Sequence, residues 1–294
     1  MAIDSQGQAT RPGTADPAWI RRALIATMFA FLALFLFIPV IAVFTEALRD
    51  GLGTYFGAIV APEARAAIRL TLMTAAIAVP LNVAFGVAAA WAIARFDFPG
   101  KQALLTLIDL PFSVSPVIAG MLFVLLVGVR APIGGWLASH GIRIIFAEPG
   151  IVLATIFVTF PLASRELIPI MQAVGSEEEE AAIVLGAGGW QMFFRVTLPN
   201  VKWGLLYGMV LCNARAMGEF GAVSVVSGHI EGHTVTMPLY IEILYNDYRF
   251  AAAFAVSSLL TMLAIATLVA KRLLERRVAP VKREQEEVEV RAAA

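Results

Sequence analysis

Long runs of residues without a single charge most constrain how this chain can fold. Three such runs cover residues 23–45, 70–94 and 250–270. Each is long enough for a helix to cross the hydrocarbon core of a bilayer, which takes about 20 mostly apolar residues. Charged residues make up 15% of the chain, whereas soluble domains carry roughly 25%. The sequence therefore predicts an all-α membrane protein that is surrounded by lipid.

Three further apolar segments predict the remaining spans. Residues 102–129 contain Asp109, residues 149–164 need their flanks to reach the length of a span, and residues 203–227 contain two charged side chains. A few buried charges are tolerated in spans when they are paired or face water. We therefore predict six transmembrane helices.

The positions of lysine and arginine predict how the spans are oriented. With both ends inside, fifteen of the 22 Lys and Arg residues fall in cytoplasmic segments, Arg165 among them, and six in external ones. Cytoplasmic segments are enriched in these residues, so we expect both termini in the cytoplasm. The predicted organisation is then a disordered tail over residues 1–18, a six-span transmembrane domain over residues 19–272 and a charged cytoplasmic tail over residues 273–294.

The segment between the fourth and fifth spans, at about residues 170–200, has the clearest local pattern. Ser176 and Glu179 are spaced as a capping box, in which each side chain bonds a free amide of the first turn. The neighbouring glutamates lie at the positive end of the helix dipole. This pattern predicts a short helix over about residues 177–187.

Two glycines, Gly188 and Gly189, are expected to break this helix. Trp190 then begins a second helix, which Pro199 limits because proline cannot continue the hydrogen-bond ladder. The segment is thus predicted to form a helical elbow beside the membrane.

Small side chains on the first helix of the elbow leave room for another backbone to approach: Ala181, Ala182 and Gly186. The apolar residues 183–185 beside them are typical anchors of a helix-in-groove contact. Taken alone, the pattern fits a docking helix and an amphipathic connector with a solvated acidic start equally well.

The spacing of this segment resembles the EAA loop of ABC-importer permeases. The matching positions are Glu180, Ala181, Ala182, Gly186, Val196, Leu198 and Pro199. The family prefers Ile where Val196 stands. The resemblance implies a multi-pass protein of the bacterial inner membrane with the type I importer permease fold, in which this loop holds the coupling helix that fits a cleft on the ATPase subunit. It implies two copies of that ATPase as partners. It also implies that the first four positions lie at that contact, and that Leu198 and Pro199 fix the return into the fifth span.

Nucleotide chemistry is expected to belong to another chain. The sequence contains no G-x-x-x-x-G-K-[ST] run, the loop that cradles nucleotide phosphates. We therefore predict a transport subunit and not an enzyme, without cofactor or metal. The sequence also has no basic stripe interleaved with aromatic residues, so it predicts no nucleic-acid partner.

Two segments within the spans resemble the oxyanion branch of these permeases. They are LPFSVSPVIAG at residues 110–120 and ARAMGEFGA at residues 214–222. The continuation through residues 223–230 and 236–248 looks most like the W-type sulfate/thiosulfate permeases. That resemblance implies a second, T-type permease subunit and a periplasmic or extracellular sulfate/thiosulfate-binding protein. A molybdate or tungstate permease on the same scaffold is the alternative.

Arg215 is predicted to lie deep in the fifth span, and an arginine there is costly unless it is paired or faces water. Glu219, one turn later, is placed to pair with it. The pair either holds the helices together or lines an anion path, and Gly218 would allow close helix approach or a local opening.

Ser113, Ser115 and Pro116 are a second candidate for the path. Hydroxyls beside a proline-broken helix can donate to an oxyanion, but a kinked packing helix whose serines bond their own backbone fits as well. Asp109, near the inner end of the third span, is predicted to make an interfacial or inter-helix contact rather than to carry protons. An ion-coupled secondary transporter, with Asp109 or the Arg215–Glu219 pair as the relay, is the alternative from another class.

Overall fold

The structure, a computed structural model, describes residues 18–292; of residues 18, 271 and 274–292 it describes the backbone alone. The predicted tail over residues 1–18 lies outside the described residues except for Ala18, which begins the first helix. The chain divides into two compact units at Thr45.

The first unit, where described, is one apolar helix, α1. It runs through Ala18–Leu32, a π-helical turn at Ala33–Phe37 and Ile38–Ala47, whose last residues enter the second unit. Large side chains such as Phe29 and Phe35 are exposed along it. An all-round apolar surface is what a lipid-facing span requires.

The second unit contains the remaining helices of the described chain. In order they are α2 Gly51–Val60, α3 Pro62–Arg95, α4 Lys101–Ser113, α5 Pro116–Val127, α6 Pro132–Ser139, α7 Glu148–Val174, α8 Glu177–Val184, α9 Gly189–Met217, α10 Gly221–Ser227, α11 Met237–Asn246 and α12 Phe250–Ala292.

Four helices are long and apolar enough to cross a bilayer unbroken: α1, α3, α7 and residues Phe250–Ala270 of α12. Two bent pairs add to these, α4 with α5 at an angle of 109° and α9 with α10 at 52°. The described chain therefore has six spans if each bent pair crosses the membrane once, which agrees with the predicted all-α membrane fold.

The third span is not the continuous helix that the sequence predicts over residues 102–129. Val114 and Ser115 adopt extended backbone angles between α4 and α5. The residue before a proline is disfavoured in the helical region, and Pro116 offers no amide hydrogen to the ladder. Proline chemistry thus breaks this span near its middle.

The helix of the fourth span also runs further than the sequence predicts. The sequence predicts a span that ends at residue 164, with Arg165 in the cytoplasmic segment that follows. The structure carries α7 on to Val174. The apolar residues that follow Arg165 continue the helix, so Arg165 lies nine residues before its end.

Small residues let α3, α7 and α9 pack closely at the centre of the second unit. A Cβ built on Gly86 of α3 would lie 2.7 Å from the Cβ of Ala163 in α7. One turn earlier, the Asn82 amide donates to Thr159 Oγ1 at 2.7 Å. On the other side of α7, Gly208 of α9 approaches the backbone of Ala163. Such contacts are the usual means of helix association in membranes, where van der Waals packing replaces the hydrophobic effect.

We predict that Gly86→Val loosens this centre. The new side chain would overlap α7, and overpacking of this kind costs about 1–3 kcal/mol. The melting temperature of the purified protein in detergent should fall. Gly57→Val is the matched control, because a Cβ there meets nothing within 4 Å; equal melting temperatures for the two variants would contradict the packing described.

Candidate functional site

Helix α8 ends earlier than predicted, and one glycine ends it. The helix covers Glu177–Val184 rather than residues 177–187, and Gly186 adopts a φ of +88°. The Gly186 amide donates to the Ile183 carbonyl at 2.9 Å and the Ala187 amide to the Ala182 carbonyl at 3.0 Å. These two bonds form a Schellman motif, which needs a left-handed residue. Gly186, and not the later glycine pair, is therefore the helix terminator.

The predicted capping box does not form. Ser176 has near-helical backbone angles (φ −108°, ψ −3°), and its side chain caps no amide of the first turn. A capping side chain needs extended angles at this position. The Ser176 hydroxyl instead donates to Glu180 Oε1 at 2.6 Å, and Glu179 turns away from the helix start.

Glu179 forms a buried ion pair with Arg95, the last residue of α3. The guanidinium donates through Nε to Oε2 at 2.8 Å and through Nη2 to Oε1 at 3.0 Å. Its third nitrogen donates to the Met171 carbonyl of α7 at 2.8 Å, and Thr197 Oγ1 of α9 donates to Glu179 Oε1 at 2.8 Å. Glu179 thus ties the elbow helix to three spans at once.

The sequence does not predict this contact, because its local pattern assigns Glu179 to the capping box. The available signal was Arg95, a cation that ends an uncharged run. Nothing local to residue 95 indicates a partner 84 positions later. A bidentate pair at this separation depends on how the spans pack.

The outer side of the elbow carries an exposed apolar patch, the elbow patch, made of Val184, Leu185, Trp190 and Phe194. Val184, Leu185 and Trp190 are 86%, 88% and 78% exposed. The Trp190 ring stacks on Phe194 with centroids 5.9 Å apart. Exposed apolar surface of this kind marks an interaction site. Glu180, Ala181 and Gly186 are also exposed and border the patch.

The second helix of the elbow does not stop at Pro199, as the sequence analysis expected. It continues as α9 from Gly189 to Met217, through a π-helical turn at Phe193–Thr197. A wider turn relieves the clash between a proline ring and the carbonyl four residues earlier. The elbow and the fifth span are therefore one continuous rod, with Val196 and Leu198 half-buried along it.

Arg215 and Glu219 meet at the end of α9, where the fifth span breaks. The guanidinium Nη1 lies 2.9 Å from Glu219 Oε2, at ion-pair distance but without the alignment of a hydrogen bond. Glu219 Oε1 accepts from the Ala222 amide at 3.0 Å, at the start of α10. The Arg215 side chain is 42% exposed and that of Glu219 1%. The carboxylate therefore holds the break together from inside, while the cation faces outward.

The breaks in the third and fifth spans pack against each other. A Cβ on Gly221 would lie 3.1 Å from the Cβ of Pro116, and one on Gly120 would lie 2.7 Å from the Ala222 carbonyl oxygen. Ser113 and Ser115 are exposed beside this contact, and so is Gly218. The residues predicted from two separate segments are thus brought to one place.

Comparison with known proteins gives the family of this chain. Residues 82–280 match the model of the family described as "Binding-protein-dependent transport system inner membrane component". The sulfate transport system permease protein CysW of Escherichia coli (strain K12) is 52% identical over 259 residues, which cover 88% of this chain and 89% of that protein. CysW of a Synechocystis species is 51% identical over 88% of this chain and 94% of its own length. The paralogous CysT of E. coli is 33% identical over 86% of this chain and 91% of CysT.

A solved structure of a bacterial alginate ABC transporter, in complex with an alginate-bound periplasmic protein, shares the fold. Its matching chain superposes with a TM-score of 0.73 at 19% identity, over 88% of this chain and 95% of the other. The comparisons confirm the importer-permease fold and the prediction of a transport subunit that is not itself an ATPase. They favour this class over an ion-coupled secondary transporter. The chain belongs to the binding-protein-dependent transport system inner membrane components and, within that family of multi-pass inner-membrane proteins, to the CysW-type sulfate transport permeases.

Proposed function

We propose that this chain is the permease subunit through which sulfate or thiosulfate crosses the inner membrane, driven by a separate ATPase. The observation that carries the proposal is Arg215, a half-exposed cation at the break of a span, in a chain 52% identical to a sulfate permease. An intramembrane cation facing water is the feature that an anion path needs.

The proposed assembly contains two copies of an ABC ATPase subunit, a T-type permease as the second membrane subunit, and an external binding protein that captures the anion. The CysT paralogue of E. coli, similar to this chain along most of its length, supports a heterodimer of related subunits. In this assembly both ends of the six-span domain and the elbow lie on the cytoplasmic side.

The elbow patch is proposed to dock in a cleft of the ATPase. Its aromatic and aliphatic side chains are the kind that anchor a helix in a groove. The patch is bordered by residues of α8 and the glycine that ends it, namely Glu180, Ala181, Ala182 and Gly186. A backbone that approached the patch there would meet small side chains and one carboxylate.

Movement of the elbow is proposed to reach the spans through Glu179. Arg95 and Thr197 connect this carboxylate to the ends of α3 and α9, and the rod of α9, with Leu198 and Pro199 near its base, leads to Arg215. A buried bidentate pair resists displacement better than apolar contact, because separating it leaves two uncompensated charges.

We predict that Glu179→Gln uncouples ATP hydrolysis from transport. The amide would leave Arg95 buried without a counter-charge, at a cost of about 3–5 kcal/mol. In proteoliposomes containing the complete importer, sulfate uptake per ATP hydrolysed should fall at least about tenfold, since about 1.4 kcal/mol already corresponds to tenfold.

Glu177→Gln is the matched control for this variant. It removes the same charge from the same helix at an exposed position. If both variants lost coupling equally, the effect would stem from the acidic start of α8, and the proposed role of Glu179 would be wrong.

Arg215 is proposed to contact the anion in passing rather than to hold it tightly. Glu219 neutralises part of its charge from behind, and exposed Ser113 and Ser115 offer hydroxyl donors where Pro116 packs on Gly221. Gly218 adds no side chain to the opening. Weak binding suits a subunit that receives its anion from a binding protein and must release it.

Replacing Arg215 by Ala is expected to abolish uptake while assembly with the ATPase persists. The elbow lies about 25 residues earlier along α9, or roughly 38 Å at 1.5 Å per residue. The substitution should therefore not affect docking of the ATPase. Copurification of the ATPase measures assembly, and radiolabelled sulfate uptake measures passage. Normal uptake by a well-expressed variant would exclude the path role.

The choice of anion is tested by adding loaded binding proteins to the reconstituted importer. Sulfate-loaded or thiosulfate-loaded sulfate-binding protein should stimulate ATP hydrolysis, whereas a molybdate-loaded molybdate-binding protein should not, because docking requires the matching partner. Stimulation by the molybdate protein alone would make this chain a molybdate permease.

A further inference from the structure

A second arginine lies within a helix of the described chain that is long and apolar enough to cross the membrane. Arg165 sits nine residues before the end of α7 at Val174, which is about 13 Å along the helix axis. Its Nε lies 3.0 Å from Asp109 Oδ1 of α4, so the predicted inter-helix contact of Asp109 is confirmed. Its guanidinium carbon lies 4.9 Å from the centre of the Phe112 ring.

Both members of this pair are open to their surroundings. The side chains of Arg165 and Asp109 are 55% and 48% exposed. A charged pair within a span would cost several kcal/mol if it faced hydrocarbon. We therefore expect the open face to meet water or protein. Asp109 is the acidic partner of Arg165 among the described residues, and a guanidinium has five N–H groups, more than one carboxylate can accept.

The surface beside Arg165 leads directly to the break that holds Arg215. Phe112, on which Arg165 rests, is followed by exposed Ser113 and Ser115. Pro116 then packs on Gly221, just beyond the Arg215–Glu219 pair. Phe112, Ser113 and Ser115 thus place exposed side chains along the chain between the Arg165–Asp109 pair and the break beside Arg215.

The spacing of the two arginines along the helices follows from a contact between α7 and α9. Cys212 Sγ donates to the Thr159 carbonyl at 3.5 Å and sets the two antiparallel helices level. Arg215 lies three residues beyond Cys212, and Arg165 six residues from Thr159 in the opposite direction. At 1.5 Å per residue the two are about 13 Å apart along the axis, with Arg165 nearer the elbow.

We propose that Arg165 is a second contact for the oxyanion, on the elbow side of Arg215, and that a sulfate-like dianion passes from one arginine to the other. The inference rests on the proposed function. Each arginine is backed by one carboxylate, Asp109 or Glu219, which offsets part of the attraction for a dianion. Two weak cationic contacts at successive depths lower the barrier between them without creating a trap, the condition for conduction through multiple sites.

The first test asks whether Arg165 faces the path. In the complete reconstituted importer, Arg165→Cys should react with an anionic methanethiosulfonate, and sulfate-loaded binding protein with ATP should slow the reaction. Native Cys212 is fully buried and contributes little background. Leu107→Cys, exposed on the opposite face of α4 from Asp109, should stay unmodified, because a thiol in lipid does not ionise. Lack of reaction at position 165, or reaction that turnover does not slow, overturns the proposal.

The second test separates a path role from a structural one. Arg165→Gln removes the charge that contacts the anion and should lower sulfate uptake about tenfold or more, which corresponds to about 1.4 kcal/mol of lost interaction, while loaded binding protein still stimulates ATP hydrolysis. Arg165→Lys should restore most uptake. If the double variant Asp109→Asn with Arg165→Gln regains normal uptake, the pair merely joins α4 to α7 and the proposal fails.

These outcomes are distinct from failure of the proposed function. If the Arg165 variants transport normally while Arg215→Ala does not, the second contact alone is wrong. If the wild-type importer takes up neither sulfate nor thiosulfate, the proposed function fails first.

Discussion

Every backbone amide and carbonyl within a bilayer must find a partner inside the protein, and this constraint shapes the rest of the structure. α3 and α7 satisfy it as unbroken helices of 34 and 27 residues. The third and fifth spans do not, since one breaks at Ser115 and the other after Met217. Irregular backbone at membrane depth is tolerated where protein covers it or where it borders water.

The two breaks are covered by protein on one side because they pack on each other. Gly120 and Gly221 bring α5 and α10 close enough for the broken ends to shield one another, and the carboxylate of Glu219 accepts from an amide that the break exposes. On the remaining open side lie Arg215 and the two serines. A break that needs water on one face and protein on the other is suited to line a path, and the proposed function places the anion there.

The buried pair of Arg95 and Glu179 acts at the other end of the same rod. A buried ion pair adds little net stability, since desolvation offsets most of the attraction. Its effect is geometric, because two parallel hydrogen bonds fix the distance and angle between α8 and α3 more tightly than apolar packing does. Since α9 is continuous from Gly189 to Met217, the elbow and the break at Arg215 lie on one helix, which is the connection that the proposed coupling requires.

The sequence predicts the parts of this protein that depend on neighbours in the chain. Spans follow from apolar runs, the elbow from its spacing, and the Arg215–Glu219 pair from a separation of four residues. Local rules fail where distant residues compete. The capping box at Ser176 yields to Arg95, which takes Glu179, and Pro199 fails to end a helix that a π turn lets continue. Gly186 has a role as helix terminator that its small size alone does not reveal.

The roles of the coupling and path residues stay predictions. The two arginine–carboxylate pairs nevertheless share one pattern of exposure. At both pairs the arginine is the more exposed partner, 42% against 1% for Arg215 and Glu219 and 55% against 48% for Arg165 and Asp109. An arrangement built for structure alone would gain by replacing the pair with well-packed apolar residues. Exposing the cation while a carboxylate holds it from the side keeps it attractive to anions yet too weak to retain them. That compromise is what a permease requires when tight capture of its anion is left to another protein.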